Sequence, residues 1–411
     1  MPGRDPVYLD HAATTPMRPE AIDAMTAALR VVGNPASIHG SGQAAKRMLE
    51  ESREQVAATL GADPIEVVFT GGGTEAVNLA VKGLFWRRHA ESGAHRILMP
   101  GGEHHATLDT VEWLVATAGA ELVEIPLDAV GRVRVDVLAA ELERDAASVA
   151  LVTMLQANNE VGTIEPVAEV AELCARAGVP LHVDAIAAYG HLPIDLHAVR
   201  RETAAPPGGG LVAISVSAHK VGGPVGIGAL VLDRSTRLEP LLHGGGQQRR
   251  IRSGTQDVAA AAGFAAAARA TAAGRAAEDA RTAALRDRIV AGVALAVPDA
   301  VLSGEPDAAG RLPGNAHFTF PGCEGDSLLF LLDAAGVAVS TGSACQAGVP
   351  EPSHVLLAMG RSEAEARGAL RITLGHTSTD ADVDAFLAAL PSAYERAALA
   401  GMAGRATSFD R

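Results

Sequence analysis

Through most of the chain, apolar positions fall into short unbroken runs separated by stretches whose apolar residues recur at helical spacing. The runs are Val67–Phe69, Arg96–Met99, Ala120–Ile125, Val149–Leu155, Pro180–Asp184 and Leu211–Val216, with another from Gly226. An unbroken apolar run of this length reads as a strand covered on both faces, and strands alternating with helices predict a mostly parallel sheet with helices on either side. Arg18 to Val31, a segment ending at Leu60, Thr74 to His89 and His104 to Ala118 read as helices. Tyr8 to Pro16 (YLDHAATTP) is too polar for a helix and reads as an ordered arm.

The pattern changes after residue 257. An alanine-rich run from Val258 to Ala277 continues in helical register to about Val297, with Leu285, Ile289, Val293 and Leu295 on its apolar side. Alanine is the best helix former, so this predicts one long interdomain helix. Strands near Val301, Asn315–Phe320, Val337–Ser340 and Ala369–Leu374 follow, with helices at Glu324–Ala335 and Ser362–Gly368. The expected organisation is an arm (1–17), a large α/β domain (18–257), an interdomain helix with a small α+β domain (258–390), and an alanine-rich tail (391–411) that frays.

A length of 411 residues suits two domains, and 48% hydrophobic with 20% charged residues is ordinary for a globular enzyme. The net charge of -14 argues against nucleic acid or an anionic membrane as the main partner. No apolar run reaches the roughly 18 residues of a membrane span, and the start lacks a basic region followed by an apolar core, so a cytoplasmic protein is expected. Cys174, Cys323 and Cys345 are too scattered for a disulfide framework or zinc cluster.

Candidate chemistry stands at the ends of the strands. After Phe69 come Gly71, Gly72, Gly73 and Thr74, with Thr74 expected as the cap of the following helix. A helix N-terminus offers free N–H groups and a positive dipole end, and glycines let a phosphate come close. The spacing matches neither a Walker loop nor G-x-G-x-x-G, so a small phosphate ester fits better than a nucleotide. Glu103, His104 and His105 stand where a strand meets a helix; no third ligand lies at helical spacing, so an imidazole that stacks or moves protons fits better than a metal site. Gln156, Asn158, Asn159 and Glu160 follow the next strand. Asp184 ends another, as a structural acid or as the partner of a cationic ring nitrogen. The segment SVSAHKVGGPVGIGAL (215–230) places Ser217, His219 and Lys220 at a strand end. A phosphate cup, an acid and a lysine at successive strand ends describe a pyridoxal phosphate site.

These motifs, in order YLDHAATTP, GNPASIHG, FTGGGTEAVNLA, EHHA, NNEVGTIEP, HVDA, SAHKVGGPVGIGAL, GGGQQRRIRSGT and STGSAC, cover nearly the whole chain. By them the sequence resembles the cysteine desulfurases of iron-sulfur cluster assembly, in the class V aminotransferase group of fold-type-I pyridoxal phosphate enzymes. The resemblance implies that Lys220 carries the Schiff base, Asp184 pairs with the pyridine nitrogen and His104 stacks on the ring and assists catalysis. Asn159 would reach the ring or its phenolic oxygen. Gly73, Thr74, Ser217 and His219 would bind the phosphate, with Thr255 supplied by the partner subunit of a homodimer. Arg371 would bind the substrate carboxylate, with Asn34 and Asn159 beside it. Cys345, in a run of small residues and turn formers, would be the nucleophile that takes the sulfur of L-cysteine and passes it to a scaffold or carrier protein, with iron-sulfur ligation as a transient second role; the sulfur could also serve tRNA thiolation. No metal site, nucleic acid or membrane is implied. A selenocysteine lyase, another class V transferase, or a cofactor-binding protein with impaired turnover stay open as alternatives.

Two departures from the family pattern bear on this. Where a glutamine is expected three residues after the aspartate, to donate to the cofactor's phenolic oxygen, this chain has Ala187. Thr203 to Gly210 (TAAPPGGG) lengthens the distance from Asp184 to Lys220 and reads as a surface loop insertion.

Overall fold

The computed structural model describes residues 6–342 and 352–405, the last five by backbone alone. A short strand β1 (Val7–Tyr8) leads to α1 (Pro19–Ala28) and α2 (Gly40–Ala58). Pro19 opens α1 at a position whose N–H would have no partner, and His39 caps α2 by accepting from Gly42 N–H at 3.3 Å. The alternating part follows: β2 (Val67–Thr70), α3 (Gly73–Ser92), β3 (Arg96–Pro100), α4 (His105–Ala118), β4 (Glu121–Ile125), α5 (Val135–Asp145), β5 (Val149–Leu155), α6 (Val167–Ala177), β6 (Pro180–Asp184), α7 (Leu196–Glu202), β7 (Gly210–Ser217) and β8 (Gly228–Leu232). Helices α5 and α7 have no counterpart among the sequence expectations.

These strands form one sheet in the order β2-β8-β7-β6-β5-β3-β4. From β7 to β4 all neighbours are parallel, while β8 runs antiparallel to both β7 and β2. Strands β5, β6 and β7 are buried along their whole length, which is why their sequences are continuous apolar runs rather than alternating ones. Their register pairs Leu155 with Asp184 and Asp184 with Ser215, so the polar residues that follow emerge together at one edge. The 203–209 segment is a loop between α7 and β7, on the far side of the sheet from that edge.

Helix α8 (Val258–Ala296) has 39 residues, about 58 Å at 1.5 Å per residue. Phe264 and its neighbouring alanines lie in the large core, whereas Leu285, Ile289 and Val293 lie in the small one. Beyond it come β9 (Val301–Leu302), β10 (Asn315–Thr319), α9 (Gly325–Ala334), β11 (Val337–Ala338), α10 (His354–Ala358), α11 (Glu363–Arg367), β12 (Ala369–Thr373) and α12 (Asp380–Arg405). Strands β12, β10 and β9 form an antiparallel sheet. The arm is stitched to this small domain: β1 pairs in parallel with β11, and Asp10 bridges to Thr373.

The tail does not fray at residue 391. Helix α12 runs through Pro391 to Arg405, with Ala393 and Ala397 buried in the small core and the Tyr394 ring 6.1 Å from that of Phe320. One hydrogen bond lost at the proline is offset by this apolar face. No helix among the described residues is long and apolar enough to cross a membrane.

Candidate active site

Lys220 lies in a single turn of 3-10 helix directly after β7. Gly222 lets the chain leave that turn: its φ of 79° suits glycine, and a Cβ there would stand 2.6 Å from Arg18 Cγ. The Lys220 amine donates to the carbonyl of Ala13 at 2.9 Å and to that of Ala12, both in the N-terminal arm. Burial, helped by the Arg371 charge and opposed by Asp10 and Asp184, lowers its pKa to about 8. A reactive neutral fraction therefore exists near neutral pH.

Asp184 closes β6 at 1% exposure, and its Oδ1 accepts from Ile186 N–H at 2.9 Å. Burial raises its pKa to about 6, against the pull of that N–H and of Lys220. Two residues earlier on the strand, His182 is held between hydroxyls, with Nδ1 2.9 Å from Thr153 Oγ1 and Nε2 2.9 Å from Ser215 Oγ. Burial keeps this ring neutral, with a pKa of about 3. His104 caps α4: its Nδ1 accepts from Ala106 N–H at 3.0 Å, which leaves the ring proton on Nε2. The residue is exposed, yet desolvation by its surroundings, then Lys220 and neighbouring imidazoles, lower its pKa to about 4.

The glycine turn expected as a phosphate cup opens α3, with one correction. The residue that caps α3 is Gly72, not Thr74; its φ of 150° suits a residue without Cβ, the helix starts at Gly73, and Thr74 sits exposed in the first turn. At Gly73 a Cβ would come within 2.4 Å of Ile186 Cδ1 and 3.4 Å of Ser217 Cβ, so the glycine keeps this cradle open. Ser217 Oγ is buried with no hydrogen-bond partner among the described residues. A free helix N-terminus beside an unpartnered hydroxyl is an anion site. The Glu75 carboxylate, in the first turn of α3, is tied up by Gly71 N–H at 2.7 Å and by Arg252 at 2.9 Å. His219 Nδ1 lies 3.2 Å from Thr14 Oγ1, and burial followed by Lys220 lowers its pKa to about 4.

Arg371 on β12 is buried. Its Nη1 donates to the Asn159 carbonyl at 2.8 Å and its Nη2 to Asp10 Oδ1 at 3.0 Å. Asn159 Oδ1 has no partner among the described residues. A cavity of ≈ 70 Å³ joins Lys220, Asn159, Ala187, Ala12 and Thr15. The structure does not bring Asn34 or Thr255 to this cluster. Asn34 is exposed and its Oδ1 accepts from Ala36 N–H at 2.9 Å, while Thr255 lines a separate hollow with Thr70 and Gly71. Cys345 lies outside the described residues. Cys174 and Cys323 are buried free thiols, both with pKa raised by burial, Cys323 to about 11.

Asp10 and the carbonyls of Ala12 and Ala13 have no role in the sequence reading, and Glu103 is named there beside His104 without a role of its own. Glu103 is buried with Oε1 accepting from Leu155 N–H at 2.8 Å, and its pKa is pushed well up by burial. The arm's motif was visible; its partners, more than 200 positions away, were not. Elsewhere Asp63, Glu66 and His197 converge, with Arg234 already paired to both carboxylates.

A mixed sheet with a lysine just past one strand, an aspartate ending its neighbour and a glycine cup across the edge defines the fold-type-I scaffold of pyridoxal phosphate enzymes. The model of the Aminotransferase class-V family matches residues 7–386. An IscS-like cysteine desulfurase of Mycobacterium tuberculosis is 54% identical over 98% of this chain and 99% of its own length, and cysteine desulfurase IscS of Methanosarcina thermophila is 38% identical over 95% and 92%. Among solved structures, a NifS-like protein superposes with a TM-score of 0.83 at 32% identity, covering 95% of this chain and 99% of that one. A structure described as SspA in complex with cysteine gives 0.74 at 29%, covering 90% and 99%. The chain belongs to the class V aminotransferase family, among its cysteine desulfurases, a pyridoxal-phosphate-dependent group of enzymes.

Proposed function

We propose that this chain converts L-cysteine to L-alanine and takes the sulfur onto Cys345. The observation that carries the reading is the Lys220 amine, with its pKa lowered to about 8, beside the buried Asp184 and the cup with its unpartnered Ser217 hydroxyl. These residues fit pyridoxal phosphate: the cup and Ser217 would hold its phosphate, with Gly73, Thr74 and His219 around it, Asp184 its ring nitrogen, His104 its face, and Lys220 its carbonyl carbon. When bound, the cofactor supplies an electrophilic carbon and an electron sink.

The chain's own groups do the rest. Arg371 offers a planar fork to the substrate carboxylate, displacing its contact with Asp10, with Asn159 alongside. Lys220 takes the proton from the substrate α-carbon and delivers one where the carbon–sulfur bond breaks; His104, with its proton on Nε2, is placed to assist. Asp184 keeps a negative charge under the ring nitrogen. The Cys345 thiolate attacks the substrate sulfur, so cysteine plus one enzyme thiol gives alanine plus one enzyme persulfide. Because Cys174 and Cys323 are buried with raised pKa, neither supplies that thiolate, which supports Cys345.

The sulfur then passes to an acceptor thiol, for iron-sulfur assembly or tRNA thiolation. We also propose a cytoplasmic homodimer in which Thr255 of one subunit reaches the other's cup. Mass spectrometry after L-cysteine, on the wild type and Lys220→Ala, tests the reading. One added sulfur on the Cys345 peptide with alanine release in the wild type alone is expected; equal alanine release by Lys220→Ala, or the added sulfur on Cys323, refutes it.

A further inference from the structure

Strands β10 and β12 are alternating strands whose two faces differ in chemistry. Directly opposed residues of an antiparallel pair project to the same face. The pairs Ala316–Ile372 and Phe318–Leu370 face the small-domain core, while Asn315–Thr373 and His317–Arg371 face the turn at 158–160 and the N-terminal arm. His317 therefore shares its face with the arginine proposed to bind the substrate carboxylate.

His317 has no exposed surface, and neither ring nitrogen has a hydrogen-bond partner among the described residues. Buried polar groups are as a rule hydrogen-bonded, so a histidine with both nitrogens unpartnered calls for a reason. Burial, then the Arg371 and Arg311 charges, lower its pKa to about 3, so the ring is neutral and has one N–H and one bare acceptor nitrogen. The guanidinium N–H groups still unpartnered on that side are Arg371 Nε and Arg311 Nη1. The other Arg371 nitrogens are engaged, Nη1 with the Asn159 carbonyl and Nη2 with Asp10. The remaining groups of Arg311 reach the carbonyls of Glu305 at 2.7 Å and Ser303 at 2.5 Å. Glu160, which flanks Gly342 as the His317 ring does, is bound through Oε2 by the Ser353 hydroxyl at 2.5 Å.

We propose that His317 is a positioning residue for Arg371, its acceptor nitrogen taking the Arg371 Nε–H across one water so that the two Nη groups remain as the fork facing the cleft. The inference rests on the reading of Arg371 as the carboxylate-binding residue. An arginine held at Nε and by the Asn159 carbonyl cannot swing when Asp10 gives way to substrate. His317 thus acts on substrate capture rather than on bond breaking.

Steady-state kinetics on the cofactor-loaded enzyme, with cofactor absorbance and thermal midpoint as checks of folding, separate these roles. His317→Leu should raise KM for L-cysteine roughly ten-fold with kcat within about two-fold, the signature of lost uniform binding. His317→Gln or His317→Asn, which place an amide near one or the other ring nitrogen, should restore KM in one case and not in the other. An unchanged KM in His317→Leu, or a fall in kcat alone, overturns the proposal. Should the leucine variant fail to fold, the amide pair decides it: equal KM values for Gln and Asn overturn it. Arg371→Lys tells the two readings apart. A raised KM there with a wild-type KM in His317→Leu removes the positioning role alone; an unchanged KM in Arg371→Lys removes the carboxylate reading and this inference with it.

Discussion

Ala187→Gln tests the expectation that Ala187 leaves the cofactor's phenolic oxygen short of one hydrogen-bond donor. Ala187 borders the ≈ 70 Å³ cavity shared with Lys220 and Asn159, enough room for more than one water and for part of a longer side chain. A hydrogen bond to a charged oxygen is worth about 1.5–3 kcal/mol. Fixing a glutamine side chain costs up to about 2 kcal/mol, and a water already at the position would recover part of the gain. The surplus is therefore ~1 kcal/mol, or about five-fold in affinity. Titration of the apoprotein with pyridoxal phosphate, followed by absorbance, should show Ala187→Gln binding more tightly by about that factor, with the visible band's pH titration displaced toward the phenolate form and turnover increased. Ala187→Leu fills the same space without a donor and serves as the control. Unchanged or weaker binding by the glutamine variant, or equal tightening by leucine, refutes the missing-donor argument.

Asp10→Asn removes a carboxylate that holds the Lys220 pKa up, so the pH midpoint for pyridoxal phosphate association with the apoprotein should move below about 8; an unchanged or higher midpoint contradicts the coupling. His11, His182 and His317 are buried and neutral, with pKa values of about 4, 3 and 3. Between those values and 6.5 each of these histidines binds more protons in the unfolded chain, so their contribution to stability is full above about pH 6.5 and falls on acidification at ~1.4 kcal/mol per pH unit per histidine. Asp184, raised to about 6, and Glu165, raised to about 8, oppose this, since the folded state holds their protons. A lower apoprotein midpoint at pH 4.5 than at 6.5 is expected in differential scanning calorimetry. Cys345→Ser should bind L-cysteine with the wild-type spectral change but release no alanine, because oxygen does not replace sulfur as the acceptor; persistent alanine release moves the nucleophile elsewhere.

Most of the large-domain framework was legible in the chain because its strands are buried on both faces. Val149–Leu155 and Pro180–Asp184 were bounded correctly, since an unbroken apolar run ends where solvent and ligand begin. Helix α8 was legible at 39 residues because alanine propensity and a sparse apolar side agree over its whole length. The cup, Asp184 and Lys220 were legible for a related reason: open α/β sheets gather their chemistry at strand ends, and those residues directly follow or end apolar runs.

What the sequence could not show depends on contacts between distant segments. The cap of α3 passed from Thr74 to Gly72 because backbone conformation, not side-chain type, set the start of the helix. The continuation of α12 past Pro391 depends on α9 and Phe320 covering an alanine face that looks featureless by itself. Arg371 and Asp10 are separated by 361 positions, and only the stitching of the arm onto the small domain brings them within 3.0 Å. Local pattern records what each residue needs from its near neighbours and from water; pairing across hundreds of residues is decided by how the packed elements close upon one another. Lys220, the glycine cup and Asp184 were thus written in the sequence at their strand ends, whereas the lowered Lys220 pKa, the grip on Arg371 and a His317 without a partner among the described residues exist only in the folded chain.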